Sequence, residues 1–241
     1  MSVIRFFTAI IRLLLIAVLT ILTVLIALPC FYVSGKARRV SYATARIWGR
    51  SALFLLNVRV KVLGERPHDK VLVMPNHQNY LDVFLVLAYY PASIVAKKEI
   101  GHWPVLRFAI QLGRIILVDR KSLKGALEAM HDIDQEIKSG GSVILFPEGT
   151  TYVGPLTKDF KSGSFKIAEE TNTPIIPVAI KYLGRDLAWK NETFLKHFLL
   201  KMGHWRTDVD MWFGKAICQA DTKTLMKATK QAIDQQLATY L

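Results

Sequence analysis

A run of 21 uncharged residues, from Leu13 to Val33, constrains this chain more than any other feature of its sequence. As a helix it would be about 30 Å long, which matches the hydrocarbon core of a bilayer. A cleaved signal peptide is the alternative, but the run is longer than a signal core and no small-x-small cleavage site follows it. Cys30 follows apolar sequence as a lipoprotein cysteine does, yet Pro29 stands where a small residue is expected. The run therefore predicts a membrane helix.

A second membrane-contacting helix is predicted directly after this run. Pro29 and Gly35 interrupt the apolar pattern, and Ser41 to Leu56 then mixes apolar side chains with Arg46 and Arg50, as an amphipathic interfacial helix does. Two arrangements stay open: the first helix spans the bilayer, or both helices lie in one leaflet as a hairpin. We expect residues 1–57 to form a membrane anchor and residues 58–241 to form the second unit.

The charge distribution favours a lipid surface as the partner of this chain. The net charge is +13, and the first 64 residues contain nine Lys or Arg but no Asp or Glu. Basic residues beside apolar sequence are attracted to anionic lipids. They are more numerous after the run than before it, which predicts that residues 58–241 face the cytoplasm. Nucleic acid binding would require a reader motif or a basic patch with interleaved aromatics, and neither is found.

The two cysteines, Cys30 and Cys218, lie far apart in the sequence. They lack the spacing of a zinc site or of a redox pair, so we predict no metal site and a reduced environment.

From Val58 onward, short β-rich runs alternate with helical patterns, which is typical of an α/β domain. Helices are predicted from Ser122 to Ser139 and from Thr222 to Tyr240. The predicted strands are Val58 to Leu63, Lys70 to Met74, Ser93 to Ala96, Arg114 to Val118, Ser142 to Phe146, Ile175 to Ile180 and Asp208 to Phe213.

His77 is the only one of six histidines that has an Asp, Asp82, five residues later. The pair lies between a predicted strand and the apolar helical stretch Val83 to Leu87, so the loop can fold Asp82 back onto His77. A carboxylate bonded to one imidazole nitrogen raises the basicity of the other, as a general base requires. Taken alone the pattern is common, and a histidine that caps a helix is the structural alternative.

His131 and Glu136 have a similar spacing, but they lie within the predicted helix from Ser122 to Ser139. A step of five residues turns a helix by about 140°, so the two side chains would diverge. We expect them, with Asp132, on a solvated helix face.

A second segment, Phe146 to Thr150, also follows a predicted strand. Ligand sites of open α/β sheets gather at such strand ends. Glu148, before Gly149, can be aimed by a tight turn at a substrate hydroxyl or at positive side chains; a turn carboxylate in solvent is the alternative.

In this order, the two segments resemble those of the glycerolipid acyltransferase family, in particular the bacterial lysophosphatidic acid acyltransferases. The likeness extends from Val58 to Lys181. It includes four further segments: Ala96 to Ile100, Gly113 to Arg120, Phe160 to Gly163 and Pro174 to Ala179.

The resemblance implies an α/β fold with a mixed central sheet flanked by helices, anchored to the inner membrane with its catalytic domain in the cytoplasm. It implies transfer of an acyl group from acyl-CoA or acyl carrier protein to the free hydroxyl of 1-acyl-glycerol-3-phosphate, without a cofactor, a metal or a covalent acyl-enzyme. His77 would be the general base and Asp82 would orient it. Five residues would bind the acceptor: Lys97, Arg120, Glu148, Gly149 and Thr150.

The chain departs from the family pattern at Thr151, where an Arg commonly follows the Gly-Thr pair. This form resembles branches that acylate other lyso-lipids, including lysophospholipids with a larger head group and lyso-ornithine lipid. A catalytically silent membrane lipid-binding protein is a third alternative, against which the presence of both His77 and Asp82 argues.

Overall fold

The computed structural model describes residues 2–67, 70–99, 104–190, 192–218 and 220–241. Ile100, at the end of the predicted lysine segment, lies outside these ranges. The helices of the described residues are α1 (Val3–Val33), α2 (Ala37–Leu55), α3 (Leu81–Tyr89), α4 (Pro104–Leu112), α5 (Leu123–Lys138), α6 (Gly163–Glu170), α7 (Phe194–Lys201) and α8 (Thr222–Ala238). The strands are β1 (Val58–Gly64), β2 (Leu72–Pro75), β3 (Ser93–Lys97), β4 (Ile116–Val118), β5 (Val143–Ile144), β6 (Ile175–Leu183) and β7 (Thr207–Phe213).

The seven strands form one sheet in the order β1-β7-β6-β2-β5-β3-β4. Neighbouring strands are parallel except for β6 and β7, which are antiparallel. The parallel strands β2 and β5 lie side by side, so the loops that follow them meet at one edge of the sheet. The expected mixed sheet is confirmed, and its topology brings the two candidate segments together.

The central strand β2 is buried on both faces, as expected for a strand between two helical layers. Val73 joins an apolar core that includes residues of α2 and α3. Leu72 and Met74 point to the opposite face, where they join a second core with α5, α6 and α8. This alternation follows from the two-residue period of a strand.

Helix α1 lies along the rest of the chain rather than projecting from it. Near its beginning, the guanidinium of Arg12 donates hydrogen bonds to the carbonyl oxygens of Met202, at 2.6 Å, and His204, at 2.5 Å. Near its end, Gln111 Nε2 donates to the hydroxyl of Tyr32 at 2.8 Å. Since these anchor points are 20 residues apart, α1 contacts the α/β part over about 30 Å of its length.

The outer face of α1 is apolar and exposed. Trp48 of α2 donates its indole N–H to the Thr20 hydroxyl at 3.0 Å, which joins the two helices on their inner side. A continuous stretch of 18 residues in α1 has a mean hydropathy of 2.9, high enough for a membrane helix. Its exposed apolar side chains include Leu14, Val18, Leu22, Leu25 and Ile26.

Three predicted strands are shorter in the structure. β2 begins at Leu72 rather than at Lys70. Arg114 has a positive φ of 50°, and β4 therefore starts only at Ile116. β5 pairs over Val143–Ile144 alone. Three helices, α4, α6 and α7, lie where the sequence analysis predicted none.

The prediction of a solvated Glu136 was wrong, although His131 and Asp132 are exposed as expected. Glu136 is buried, and it forms ion pairs with Arg38 of α2 and with Arg114. Burial acts to raise the pKa of Glu136, but the two guanidinium groups outweigh it and lower the pKa overall. The carboxylate thus ties α2 to α5, a contact between distant segments that helical spacing does not show.

Candidate active site

The loop between β2 and α3 is fixed by the side chains of two asparagines. Asn76 forms two hydrogen bonds with the main chain of Ile180 on β6: its Nδ2 donates to the carbonyl oxygen at 3.1 Å, and its Oδ1 accepts from the N–H at 2.7 Å. Asn79 Nδ2 donates to the carbonyl oxygen of Leu187 at 2.5 Å. Both asparagines are buried. The loop that carries His77 is therefore held rigidly against β6 and the segment after it.

Asp82 lies fully buried at the start of α3, where its carboxylate is saturated with hydrogen bonds. Its Oδ2 is 2.9 Å from His77 Nδ1 and accepts the backbone N–H groups of Gln78, at 2.7 Å, and Asn79, at 2.8 Å. Its Oδ1 accepts the hydroxyl of Tyr182 at 2.5 Å. A carboxylate at Nδ1 places the imidazole proton there and leaves Nε2 as the basic nitrogen.

Tyr182, on β6, was missed by the sequence analysis. Burial, followed by the charge of Asp82, raises the pKa of its hydroxyl well above the ordinary value, so Tyr182 remains protonated and acts as the donor to Asp82. It is 100 residues from Asp82 in the sequence, and no local spacing relates the two. Only the pairing of β6 with β2 brings them together.

The imidazole of His77 stacks on Phe146, with ring centroids 4.0 Å apart and ring planes 24° apart. Its main chain is held on both sides: the N–H donates to Glu148 Oε1 at 2.9 Å, and the carbonyl oxygen accepts the N–H of Tyr152 at 2.8 Å. The side chain is 18% exposed, in contrast to the fully buried Asp82. Hence His77 is fixed in position but remains accessible on one side.

Glu148 is buried in the loop that follows β5, and each of its carboxylate oxygens accepts a hydrogen bond from a main-chain N–H group. The donors are His77, at 2.9 Å, and Lys158, at 3.0 Å. Burial raises the pKa of Glu148, and these two hydrogen bonds oppose that shift without cancelling it. The carboxylate holds the two loops together, which is a structural contact in addition to the predicted role in acceptor binding.

Gly149 has φ of +71°, in the left-handed region that favours glycine. This conformation makes the tight turn expected after β5, in which the N–H of Gly149 donates to the carbonyl oxygen of Phe146 at 3.0 Å. The carbonyl oxygen of Gly149 accepts a hydrogen bond from the guanidinium of Arg120. Arg120 therefore lies at the same edge as Glu148 and Gly149.

A mainly apolar cavity of about 590 Å³ opens beside His77. Its walls come from α1, α2, α3, β3 and α4 as well as from the two loops, and they include Lys97, Arg120, Thr150 and Thr151. Lys98 does not line it; its ammonium lies 4.0 Å from Asp119. The structure thus brings Lys97, Arg120 and Thr150 to the cavity that His77 faces, while Glu148 and Gly149 support its edge.

This arrangement is suited to activating a hydroxyl inside an apolar cavity. A family model described as acyltransferase matches residues 57–181, just over half of the chain. The chain belongs to this acyltransferase family. The matched residues contain His77, Asp82, Lys97, Arg120 and Glu148. Helices α1, α2, α7 and α8 lie outside the match, and it ends one residue before Tyr182.

Curated relatives of this acyltransferase act on different lyso-lipids according to their names. A lyso-ornithine lipid O-acyltransferase of Rhizobium meliloti is 28% identical over 96% of this chain and 86% of its own length. A 1-acyl-sn-glycerol-3-phosphate acyltransferase of Neisseria gonorrhoeae is 32% identical over 56% of this chain and 53% of its own length. The chain thus spans most of the first relative but about half the length of the second.

A solved structure confirms the fold of the acyltransferase over its full length. The 1-acyl-sn-glycerophosphate acyltransferase of Thermotoga maritima superposes with a TM-score of 0.77, covering 100% of this chain and 98% of that one at 22% identity. The N-terminal helices therefore belong to the shared architecture.

Proposed function

We propose that this acyltransferase moves a fatty acyl group from acyl-CoA or acyl carrier protein to the sn-2 hydroxyl of 1-acyl-glycerol-3-phosphate, giving phosphatidic acid for phospholipid synthesis. The observation that carries the proposal is the imidazole of His77, which is oriented by buried Asp82 and faces an apolar cavity whose wall includes Lys97 and Arg120. The cavity supplies room for an acyl chain, and its cations supply charge for a phosphate.

In the proposed reaction, His77 Nε2 removes the proton of the acceptor hydroxyl while the hydroxyl oxygen attacks the thioester carbonyl carbon. The resulting tetrahedral oxyanion collapses, the carbon–sulfur bond breaks, and the thiolate takes the proton from the imidazolium. Asp82 remains ionised throughout and stabilises the positive charge on His77. Proton transfer of this kind contributes about 10²- to 10⁴-fold to the rate, and positioning of the two lipids supplies much of the rest.

Lys97 and Arg120 are proposed to bind the phosphate of the acceptor. Arg120 donates one N–H to Gly149, which orients the guanidinium while leaving its other N–H groups available. A planar fork and a flexible ammonium together suit a phosphate with several acceptor oxygens. Glu148 and Thr150 are proposed to contact the glycerol part of the acceptor from the same edge of the sheet.

We propose that α1 and α2 lie within one leaflet of the inner membrane, with the catalytic domain on the cytoplasmic side. A spanning α1 would draw the α/β part into the hydrocarbon, because α1 contacts it over about 30 Å. Arg12, at the beginning of this contact, points at backbone carbonyls of the domain and away from the exposed apolar face. The arrangement places the cavity opening where lyso-lipids reside.

Lyso-ornithine lipid is a second candidate acceptor, favoured by Thr151 and by the extent of the match to the Rhizobium meliloti relative. Thr151 lines the cavity, and its hydroxyl donates to the carbonyl oxygen of Trp189 at 3.1 Å instead of offering a cation to a phosphate. An acceptor with a different head group would not require that cation.

Competition between the two acceptors tests these alternatives. Purified protein is given a labelled acyl donor and equal amounts of 1-acyl-glycerol-3-phosphate and lyso-ornithine lipid, and the products are separated and quantified. We expect labelled phosphatidic acid to predominate; predominance of acylated ornithine lipid would select the second candidate.

In either case Thr151→Arg should shift selectivity about tenfold toward the phosphate acceptor, since a charge-assisted hydrogen bond contributes about that much. Tyr152→Arg, an exposed neighbour outside the cavity lining, is the control and should not shift it.

A further inference from the structure

A second pocket, of about 330 Å³, lies behind the catalytic loop. Three short segments of the chain, residues 77–78, 150–153 and 188–189, each line both the second pocket and the apolar cavity. His77, Thr150 and Trp189 face the cavity, whereas Gln78, Val153 and Ala188 face the second pocket. The segments are joined by two backbone hydrogen bonds of 2.8 Å, from Tyr152 to His77 and from Trp189 to Gln78. They form a partition with the catalytic imidazole on one side and the second pocket on the other.

The second pocket carries two cations of its own, Lys181 and Arg185, at and just after the end of β6. Arg185 Nη1 is buried and has no hydrogen-bond partner in the described part of the chain. Lys181 is half-buried, and its ammonium likewise has no hydrogen-bond or ion-pair partner within the described ranges. A buried donor without a partner costs free energy, so this pocket is built for an acceptor that the protein itself does not supply.

Asp186 is part of the pocket lining, and Asp208 and Asp210 lie near Arg185 and Lys181; each of these three carboxylates has a partner of its own. Asp186 accepts the N–H of Ala188 at 3.1 Å and lies 3.4 Å from the ammonium of Lys190. Asp208 pairs with Arg206 at 2.9 Å. Asp210, opposite Lys181 in the pairing of β6 with β7, accepts the hydroxyl of Tyr240 at 2.9 Å.

The surroundings of Arg185 add positive charge rather than removing it. Burial, followed by the neighbouring charge of Arg5 on α1, lowers the pKa of Arg185, and only Asp208 opposes them. An arginine remains protonated under these conditions, so Arg185 and Lys181 outweigh Asp186 and leave an excess of positive charge in the pocket lining.

We propose that this pocket binds a phosphoryl group of one of the two substrates through Lys181 and Arg185. This proposal rests on the proposed function, because the ligand assigned to the pocket is a substrate of that reaction. The five N–H donors of the Arg185 guanidinium and the ammonium of Lys181 suit the several oxygens of a phosphoryl group. The polar residues of the lining suit a group that stays outside the apolar cavity. The three segments of the partition contribute residues to both pockets, so in this proposal the phosphoryl group lies across the partition from His77 while the rest of the substrate extends around it.

Two substrates carry such a group: the acyl-CoA donor and the head group of the lyso-lipid acceptor. Steady-state kinetics of Lys181→Gln with Arg185→Gln distinguishes them. We expect the KM of one substrate to rise about tenfold or more, the loss expected for charge-assisted hydrogen bonds, while kcat and the other KM stay within about twofold. A higher KM for acyl-CoA assigns the pocket to the donor. A higher KM for the lyso-lipid assigns it to the acceptor, in place of the phosphate site proposed at Lys97 and Arg120. Unchanged values of both KM would overturn the proposal.

The matched control is Arg66→Gln with Lys223→Gln, which removes the same two charge types from exposed positions outside the pocket. This variant should keep both KM values. If it raises KM as much as the pocket variant does, the effect is one of overall charge and the pocket has no specific role.

A binding measurement separates this inference from the proposed function. The His77→Ala protein, which retains the pocket, is titrated calorimetrically with inorganic phosphate, glycerol 3-phosphate and adenosine 3′,5′-bisphosphate. We expect at least one probe to bind, and Lys181→Gln with Arg185→Gln to weaken this binding about tenfold or more. Lys181→Arg with Arg185→Gln, which keeps one cation in the pocket, should retain part of the binding. Acyl transfer by the unmodified protein with no pocket-dependent binding of any probe would refute the pocket alone. Pocket-dependent binding without acyl transfer would refute the proposed function alone.

Discussion

The catalytic edge of the sheet and the outer face of α1 are built in opposite ways. At the catalytic edge, polar side chains are buried and nearly all of their hydrogen-bonding groups are used, as the four contacts of Asp82 illustrate. On the outer face of α1, large apolar side chains such as Val18 and Leu25 are exposed. Buried polar groups fix a geometry, whereas exposed apolar area stabilises attachment to a lipid phase.

Chemistry and attachment therefore depend on different residues, although α1 also forms part of the cavity wall. Replacing a buried polar group should reduce the rate without releasing the protein from the membrane. Replacing exposed apolar groups should release the protein while the catalytic geometry persists.

Asp82→Asn is expected to have the largest effect, lowering kcat by about 10³- to 10⁴-fold. An amide cannot accept at both of its terminal atoms, so it either loses the N–H groups now held by Oδ2 or favours the wrong tautomer of His77, as in other His–Asp pairs. Asp132→Asn, on the exposed face of α5, should leave kcat unchanged. Both variants should remain in the membrane fraction, and loss of Asp82→Asn from that fraction would break the separation of the two regions.

Val18→Glu combined with Leu25→Glu should weaken binding to lipid vesicles by about 100-fold or more. Each large apolar side chain contributes about 1.5–3 kcal/mol when it is removed from water, and the added charges oppose re-entry. Vesicle flotation measures the effect, and activity in detergent micelles should persist. The control, Leu123→Glu with Leu127→Glu, places the same changes on exposed positions of α5. Equal flotation of the two double variants would show that α1 is not the specific anchor.

Tyr182→Phe should lower kcat by about tenfold, the effect expected on losing one hydrogen bond to a charged group. The pKa of Tyr182 is raised by burial, so the hydroxyl donates to Asp82 at every pH at which the protein is assayed. Without that donor, the carboxylate of Asp82 is held by one contact fewer and orients the imidazole of His77 less firmly. Tyr240→Phe, which removes a similar bond to Asp210, should leave kcat unchanged. An unchanged kcat for Tyr182→Phe would show that Tyr182 does not help to position Asp82.

The features that the sequence analysis predicted well are those encoded locally. His77 and Asp82 lie in one loop, and the geometry of a strand, a turn and a helix is enough to bring them together. The alternation of short apolar runs with helical patterns likewise predicted the α/β fold. The resemblance to a known family placed Lys97 and Arg120 at the site, where the structure shows them at the wall of one cavity.

The features that it missed depend on contacts between distant segments. Tyr182 reaches Asp82 through strand pairing, and Glu136 is buried because Arg38 and Arg114 meet it from two other parts of the chain. Nor could spacing show that Glu148 would direct both oxygens at backbone N–H groups. The short helices α6 and α7, of eight residues each, give too few turns for a clear periodic pattern.

The role of His77 as the base is tested most directly by acyl transfer from a labelled donor to a panel of lyso-lipids, with the unmodified protein and His77→Ala compared side by side. The account predicts labelled O-acylated product from the unmodified protein and none above the blank from His77→Ala, while His131→Ala, at an exposed position on α5, remains fully active. Both variants should be recovered in the membrane fraction. Product formation by His77→Ala at the unmodified rate would contradict the assignment of His77 as the base.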